Sequence, residues 1–417
     1  MNYLLRPPPS SLFSPPLPFS FALILCLAGP CVLPVAAGQQ PSQRPPAASA
    51  PQQSFEQLKE LADGAREGGR LEEAIRLYRR ALARRPNWGE GWWSLATVLY
   101  DRDQFADAAR AFRQTTVLQP NVGAPWAMLG LCEFRLGDYD SALKHIRLGR
   151  QAGIGDNQEL GRVMRYHEGL LLLRKGDFET AQNIFGALSY DNMNHEDVII
   201  AHGLASLRIV MLPSQVTQEY RDRELIRRAG FAEHLSAQTN VGDAQREYER
   251  LVADFPTAPN TQYAYGKYLL KQRDDEAAIA AFQREIENSP NHALARLQIA
   301  YIRLRNKDAE AGLKLAEEAA RLNPRLPLGH YILGRILFET GEVGKATEEL
   351  EVARRLSPNE PRVHFALARA YAKAGRKEEA QQAREIFARL SKAAEEAGAR
   401  GDARGEAIEE RSEKSKP

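Results

Sequence analysis

The sequence predicts an all-α fold, a solenoid of about ten antiparallel helix pairs stacked in a row. Three observations carry that prediction. First, Pro256, Pro290, Pro324 and Pro358 stand 34 residues apart. Second, a large-then-small pair recurs at one phase between them: Tyr265-Gly266, Ile299-Ala300, Leu333-Gly334 and Leu367-Ala368. Third, Ala278, Gly312, Ala346 and Ala380 put a small residue at a second phase. A single helical hairpin cannot bury its apolar face alone, so neighbours stack and share a core. Small residues mark where two helices approach closely. The proline past the second helix cannot continue it.

Taken in order, the chain opens with residues 1–16, rich in Pro and Ser, with Arg6 as the only charged side chain. An apolar run from Phe19 to Leu27 and the small residues Val35-Ala36-Ala37 follow. This is the layout of a secretory signal peptide over residues 1–37 and predicts an exported chain, periplasmic, envelope-associated or secreted. A membrane anchor and a lipoprotein signal are the rival readings. Pro30 and Pro34 interrupt the apolar stretch, and Leu25 and Pro30 stand before Cys26 and Cys31, where a lipoprotein signal needs a small residue. Residues 38–54 are Gln, Pro, Ala and Ser and predict a disordered linker.

From Phe55 the helical period starts, with Leu58, Leu61, Ala62 and Ala65 on one face. Gly69-Arg70-Leu71 reads as a turn. A second helix from Glu72 to Arg84 carries Ala74, Tyr78 and Ala81 and ends at Pro86-Asn87. The phrase repeats over 89–122 and 123–156. An irregular stretch, 162–222, follows. The turn at Gly176-Asp177-Phe178 comes 39 residues after Gly137 rather than 34, and Leu212-Pro213-Ser214 breaks the second helix of the next unit. That break predicts a hinge or seam between an N-terminal array, 55–222, and a C-terminal array, 223–396. Regular units then run over 225–258, 259–292, 293–326, 327–360 and 361–396. Residues 397–417 combine Gly, Ala and alternating charge and predict a disordered tail.

Trp126-Ala127-Met128-Leu129-Gly130, followed by Gly137-Asp138-Tyr139-Asp140-Ser141-Ala142, resembles the tetratricopeptide repeat (TPR) consensus. The resemblance extends over roughly residues 55–396. It implies a right-handed superhelix whose concave face is lined by the first helix of each pair. It also implies a scaffold or adaptor that binds a protein or peptide there. The residues that this places in the groove are Tyr263, Lys267 and Lys271, then Tyr301 and Arg305, then Tyr331 and Arg335, then Phe365, Arg369 and Lys373. Basic and aromatic side chains in rows suit an acidic, extended partner. A scaffold subunit of a secretion or polysaccharide-export assembly, binding an anionic glycan or lipid head group, is the alternative. The Asn position of the chaperone-type carboxylate clamp holds Asp63, Thr97, Leu131, Lys267, Tyr301, Arg335 and Arg369, so that clamp is not expected. The N-terminal groove differs, with Trp93, Tyr100, Met128, Leu131 and Phe134. That patch suits a second ligand or simple packing.

Composition and motifs point away from other classes. With 43% hydrophobic and 26% charged residues the chain has enough apolar material for a core but is too polar for a multi-span membrane protein. A formal net charge of +2 lacks the basic signature of a nucleic-acid binder. Cys132 would be the lone thiol after leader removal, so no disulfide framework is expected. His167-Glu168 and His195-Glu196 start zinc-motif phrases, but Leu171 and Ile199 occupy the second histidine position. Gly153 and Gly155 lack the third glycine of a dinucleotide loop. No cofactor, metal site, catalytic residue or enzymatic activity is predicted. His330 and His364 share one repeat position and are expected to serve the scaffold.

Overall fold

The computed structural model describes residues 53–155 and 157–414. The predicted signal peptide and nearly all of the linker lie outside the described residues. Among these residues all regular structure is helical, as the sequence predicts. Helices α1 (Phe55–Glu67) and α2 (Leu71–Arg84) form the first pair. α3 (Gly89–Asp101) and α4 (Phe105–Leu118) form the second, α5 (Gly123–Leu136) and α6 (Tyr139–Ala152) the third, and α7 (Gln158–Arg174) with α8 (Phe178–Tyr190) follow. α9 (Glu196–Ser206) stands without a second helix. A 3-10 turn at Pro213–Gln215 occupies its place. Five pairs come next: α10 (Arg223–Ala237) with α11 (Val241–Asp254), α12 (Thr261–Lys271) with α13 (Asp275–Asn288), α14 (Ala293–Arg305) with α15 (Ala309–Leu322), α16 (Pro327–Glu339) with α17 (Val343–Leu356), and α18 (Pro361–Lys373) with α19 (Lys377–Lys414). No helix among the described residues is long and apolar enough to cross a membrane.

The repeated phrase is the core. On five of the second helices an alanine and an aromatic residue four apart are buried: Ala74 with Tyr78, Ala108 with Phe112, Ala181 with Phe185, Ala244 with Tyr248, Ala278 with Phe282. The small residue of the first helix lies against that surface. A methyl group added at Gly266 would meet the Phe282 ring at 2.6 Å, and one at Gly334 would meet Leu350 at 2.7 Å. One further residue ties consecutive repeats together. Trp92 and Trp126 donate their indole N–H to the carbonyls of Pro86 and Pro120, at 2.8 and 2.9 Å. At the same repeat position, Nε2 of His330 and His364 lies 3.0 and 2.7 Å from the carbonyls of Pro324 and Pro358. A carbonyl orphaned at a helix end thus regains a donor.

The described residues form two compact units that divide between Met164 and Arg165, inside α7. The sequence instead predicts a boundary at 222/223. The reason is the contact of α9 with α10. A Cβ at Gly203 would lie 1.9 Å from the Ile226 carbonyl oxygen, and one at Gly230 would lie 1.9 Å from that of Ile199. Backbone rests on backbone, so the stretch expected to be a seam packs tightly. The predicted disordered tail also differs: α19 continues to Lys414. Ala, Glu, Lys and Arg are strong helix formers, and opposite charges three or four apart support one another along a helix.

Candidate functional site

The second unit, from Arg165 on, holds all ten residues predicted to line the groove, and the structure does not bring them all together. On α16 and α18, Tyr331, Arg335, Phe365 and Arg369 line one recess together with Phe338 and Glu339, of about 150 Å³. The repeat spacing explains the grouping. Tyr331 and Phe365 are 34 residues apart, as are Arg335 and Arg369, so both pairs stand at equal phase on adjacent first helices.

The recess is a basic, ring-lined surface. The Arg335 guanidinium sits over the Tyr331 ring, 5.7 Å from its centroid, and Arg362 approaches the same ring at 6.0 Å. Arg369 and Lys373 lie over Phe338 at 4.7 and 4.9 Å. Cations over ring faces are held at moderate strength and keep their N–H donors available. Arg369 donates to Glu339 at 3.3 Å, and Arg362 pairs with Glu360 at 2.8 Å. Among the described residues Arg335 and Lys373 pair with no carboxylate. Phe365 is half exposed, with its ring 5.4 Å from that of Phe387. Phe387, against Phe365, is the contact that sequence reasoning missed, whereas the repeat position of Phe338 already places it in the groove. Phe338 sits one helical turn past Arg335 on the same face, a signal present in the sequence.

The remaining residues behave differently. Tyr263 is buried, with its ring against Phe282 and His292, and burial pushes its hydroxyl pKa up to about 12. It belongs to the core, which corrects its placement in the groove. Arg305 is held by Asp275 and lies 5.8 Å from the centre of the Tyr301 ring. That arginine depresses the Asp275 carboxyl pKa, as does Asn306. Lys267 and Lys271 line a separate cavity between α8, α10 and α12, of about 500 Å³. The apolar N-terminal patch is mostly core: Tyr100, Leu131 and Phe134 are buried, and Trp93 packs edge-on against Phe112. Cys132 is likewise buried, and its thiol is pushed well above its ordinary range by desolvation.

Stacked helical hairpins with a 34-residue phase, a small residue buried at one phase of the second helices and a surface recess built from first helices define a repeat scaffold. The chain belongs to the tetratricopeptide repeat family: the family model matches residues 59–102, 94–157, 230–293 and 297–361, more than half of its length. Among solved structures, MamA residues 41 to the end, from Desulfovibrio magneticus RS-1, is 20% identical over 40% of this chain and 94% of that one, with a TM-score of 0.36. The APC/C hetero-tetramer Cut9–Hcn1 is 12% identical over 81% of this chain and 87% of that one, with a TM-score of 0.38. YrrB, described as a TPR protein with an unusual peptide-binding site, is 15% identical over 41% and 89%, with a TM-score of 0.35. No curated protein matches the chain in sequence.

Proposed function

We propose that this chain is a non-catalytic adaptor working outside the cytoplasm, and that the recess on α16 and α18 binds an extended acidic segment of a protein partner. The observation that supports this most is Arg335. It is half-buried, poised over Tyr331, beside a recess, and pairs with no carboxylate among the described residues. A carboxylate arriving there gains a charge-assisted contact without first displacing an internal partner. Phe338 and Phe365 supply apolar area next to it. The export assignment rests on the leader-like layout of residues 1–37.

The test is titration of the purified chain with a fluorescent peptide of alternating Glu and aromatic residues. Arg335→Glu combined with Arg369→Glu should weaken binding by about 10–100-fold, from the loss of two charge-assisted contacts, with far-UV helicity unchanged. Raising salt should weaken the wild-type complex as well. Equal binding of a Lys-containing peptide, or an unaffected double variant, would remove the groove assignment. Retention of an acidic polysaccharide in place of the peptide would favour a glycan-binding scaffold. A photo-crosslinker at Tyr331 in cells then identifies the natural partner.

A further inference from the structure

The second cavity, which Lys267 and Lys271 line, is a different kind of site. It lies where the repeat pattern fails. Across the regular repeats, side-chain bonds between neighbours span about one repeat, as for Arg102 with Glu72 or Arg369 with Glu339, each 30 residues apart. Here the Lys267 ammonium donates to Oε1 of Gln182 at 2.6 Å, across 85 residues of sequence. The missing second helix after α9 lets α8 reach α12, and a cleft of about 500 Å³, open to solvent, lies between them.

Its walls carry both signs of charge. Lys267 and Lys271 stand one turn apart on α12. Among the described residues neither pairs with a carboxylate. Lys271 donates only to the hydroxyl and carbonyl oxygens of Ser236, at 3.2 and 3.3 Å. Across the cavity on α10, Glu233 is mostly buried. Its Oε1 accepts from Gln182 Nε2 at 2.8 Å and from the Ser206 hydroxyl at 2.7 Å, both neutral donors. His202, 2% exposed, also lines the cavity. Its Nε2 lies 4.0 Å from Glu233, and its Nδ1 has no hydrogen-bond partner. Burial outweighs the opposing charge of Glu233 and lowers the pKa of this histidine to about 4, so it adds no charge near neutral pH.

Gln182 therefore links the two poles with one amide: its oxygen faces a lysine and its nitrogen faces a glutamate. A small molecule with a carboxylate at one end and an ammonium at the other replaces these bonds to a neutral amide with bonds in which donor and acceptor both carry charge. We propose that this cavity is a receptor site for a free α-amino acid, with its carboxylate on Lys267 and Lys271 and its ammonium on Glu233. Tyr248 and Tyr268, stacked on each other with ring centroids 4.7 Å apart, form part of the remaining wall. This site is independent of the recess on α16 and α18, and either reading can fail without the other.

The test is calorimetric titration and thermal-shift measurement of the purified chain with a panel of free L-amino acids. At least one should bind saturably and raise the melting temperature. The matching acid without the amine, and the matching amine without the acid, should each bind about tenfold more weakly or worse on the unmodified protein. Glu233→Gln and the pair Lys267→Met with Lys271→Met should weaken binding to a similar degree with far-UV helicity retained. Three outcomes would overturn the proposal: no amino acid binds, the amine-free acid binds as tightly, or a peptide ending in the same residue binds as tightly. Since the ligand-side comparisons need no variant, a misfolded mutant does not obscure the result.

Discussion

Trp126 and His364 have little in common as side chains, yet each offers an N–H-bearing ring to the carbonyl of the proline six residues before it. Trp92, Trp126, His330 and His364 make that reach with a ring nitrogen, while Gln262 and Arg296 stand at the same phase, so the position is not tied to one residue type. Other histidines carry a pH cost. Neutral His292 uses both nitrogens: Nδ1 accepts the Ala295 N–H at 2.9 Å and Nε2 donates to Oδ1 of Asn260 at 3.0 Å. Burial, then the positive charge of Arg208, lowers its pKa to about 4, and burial does the same for His202. An unfolded histidine titrates near 6.5. Above that pH both states are neutral and the stability contribution is fully present. It is lost as pH falls from about 6.5 to about 4, because only the unfolded chain takes up the protons. Urea unfolding should therefore show lower stability at pH 4.5 than at pH 7. His292→Asn, which keeps a cap acceptor for Ala295, should reduce that drop by about 1–2 kcal/mol, discounted for partial exposure. An unchanged drop would mean that His292 is not among the groups responsible. The sequence shows where His292 falls in its repeat. It does not show that burial and the charge of Arg208 hold the ring neutral, nor that Nε2 meets Asn260, which stands just before α12.

The turn between the two helices of a pair recurs with the same period as the prolines. A left-handed residue stands at Gly69, Asp103 and Gly137, and again at Thr239, Arg273, Lys307, Gly341 and Gly375. Glycine adopts that conformation freely, whereas a β-branched side chain is strained in it. Thr239, at φ 61°, is the most costly occupant. Thr239→Gly should raise stability by about 1 kcal/mol, read as an upward shift of the thermal midpoint. A lowered midpoint would show that the threonine side chain contributes more than its backbone costs. Element existence was legible throughout from the phase of the apolar residues. The turns at Gly137 and Gly176 were legible from glycine. Those at Thr239 and Lys307 carry no local signal and are found only by counting from their neighbours. The end of α19 was misjudged for the opposite reason: without an apolar stripe, only propensity speaks for a helix.

At the scale of the molecule, each of the two units has its own buried residues, and the chain provides a means of watching one alone. Its four tryptophans are Trp88, Trp92, Trp93 and Trp126, all before residue 165. Tryptophan fluorescence thus reports the first unit, while far-UV circular dichroism reports both. Gly203→Ala forces a methyl group into the backbone of α10, an overpacking cost of about 3 kcal/mol or more. It should lower the dichroism midpoint by about 5 °C or more and leave the fluorescence midpoint in place. A parallel fall of both signals would show that the units melt as one. The arrangement of the second unit was the least legible part of the chain. The break at Leu212-Pro213-Ser214 was visible, but its outcome depends on Gly203 meeting Gly230 and on Lys267 meeting Gln182. These contacts are set by how α10 closes on α9, which no periodic pattern encodes.

The crossing of α9 and α10 also limits how such a chain can be edited. From α12 onward the repeats are interchangeable modules, so whole 34-residue blocks can be added or removed with each new junction reproducing an old one. None of those repeats contains such a glycine crossing. The α9–α10 crossing acts as a fixed keystone: the array is free to lengthen beyond it, but nothing can be spliced through it.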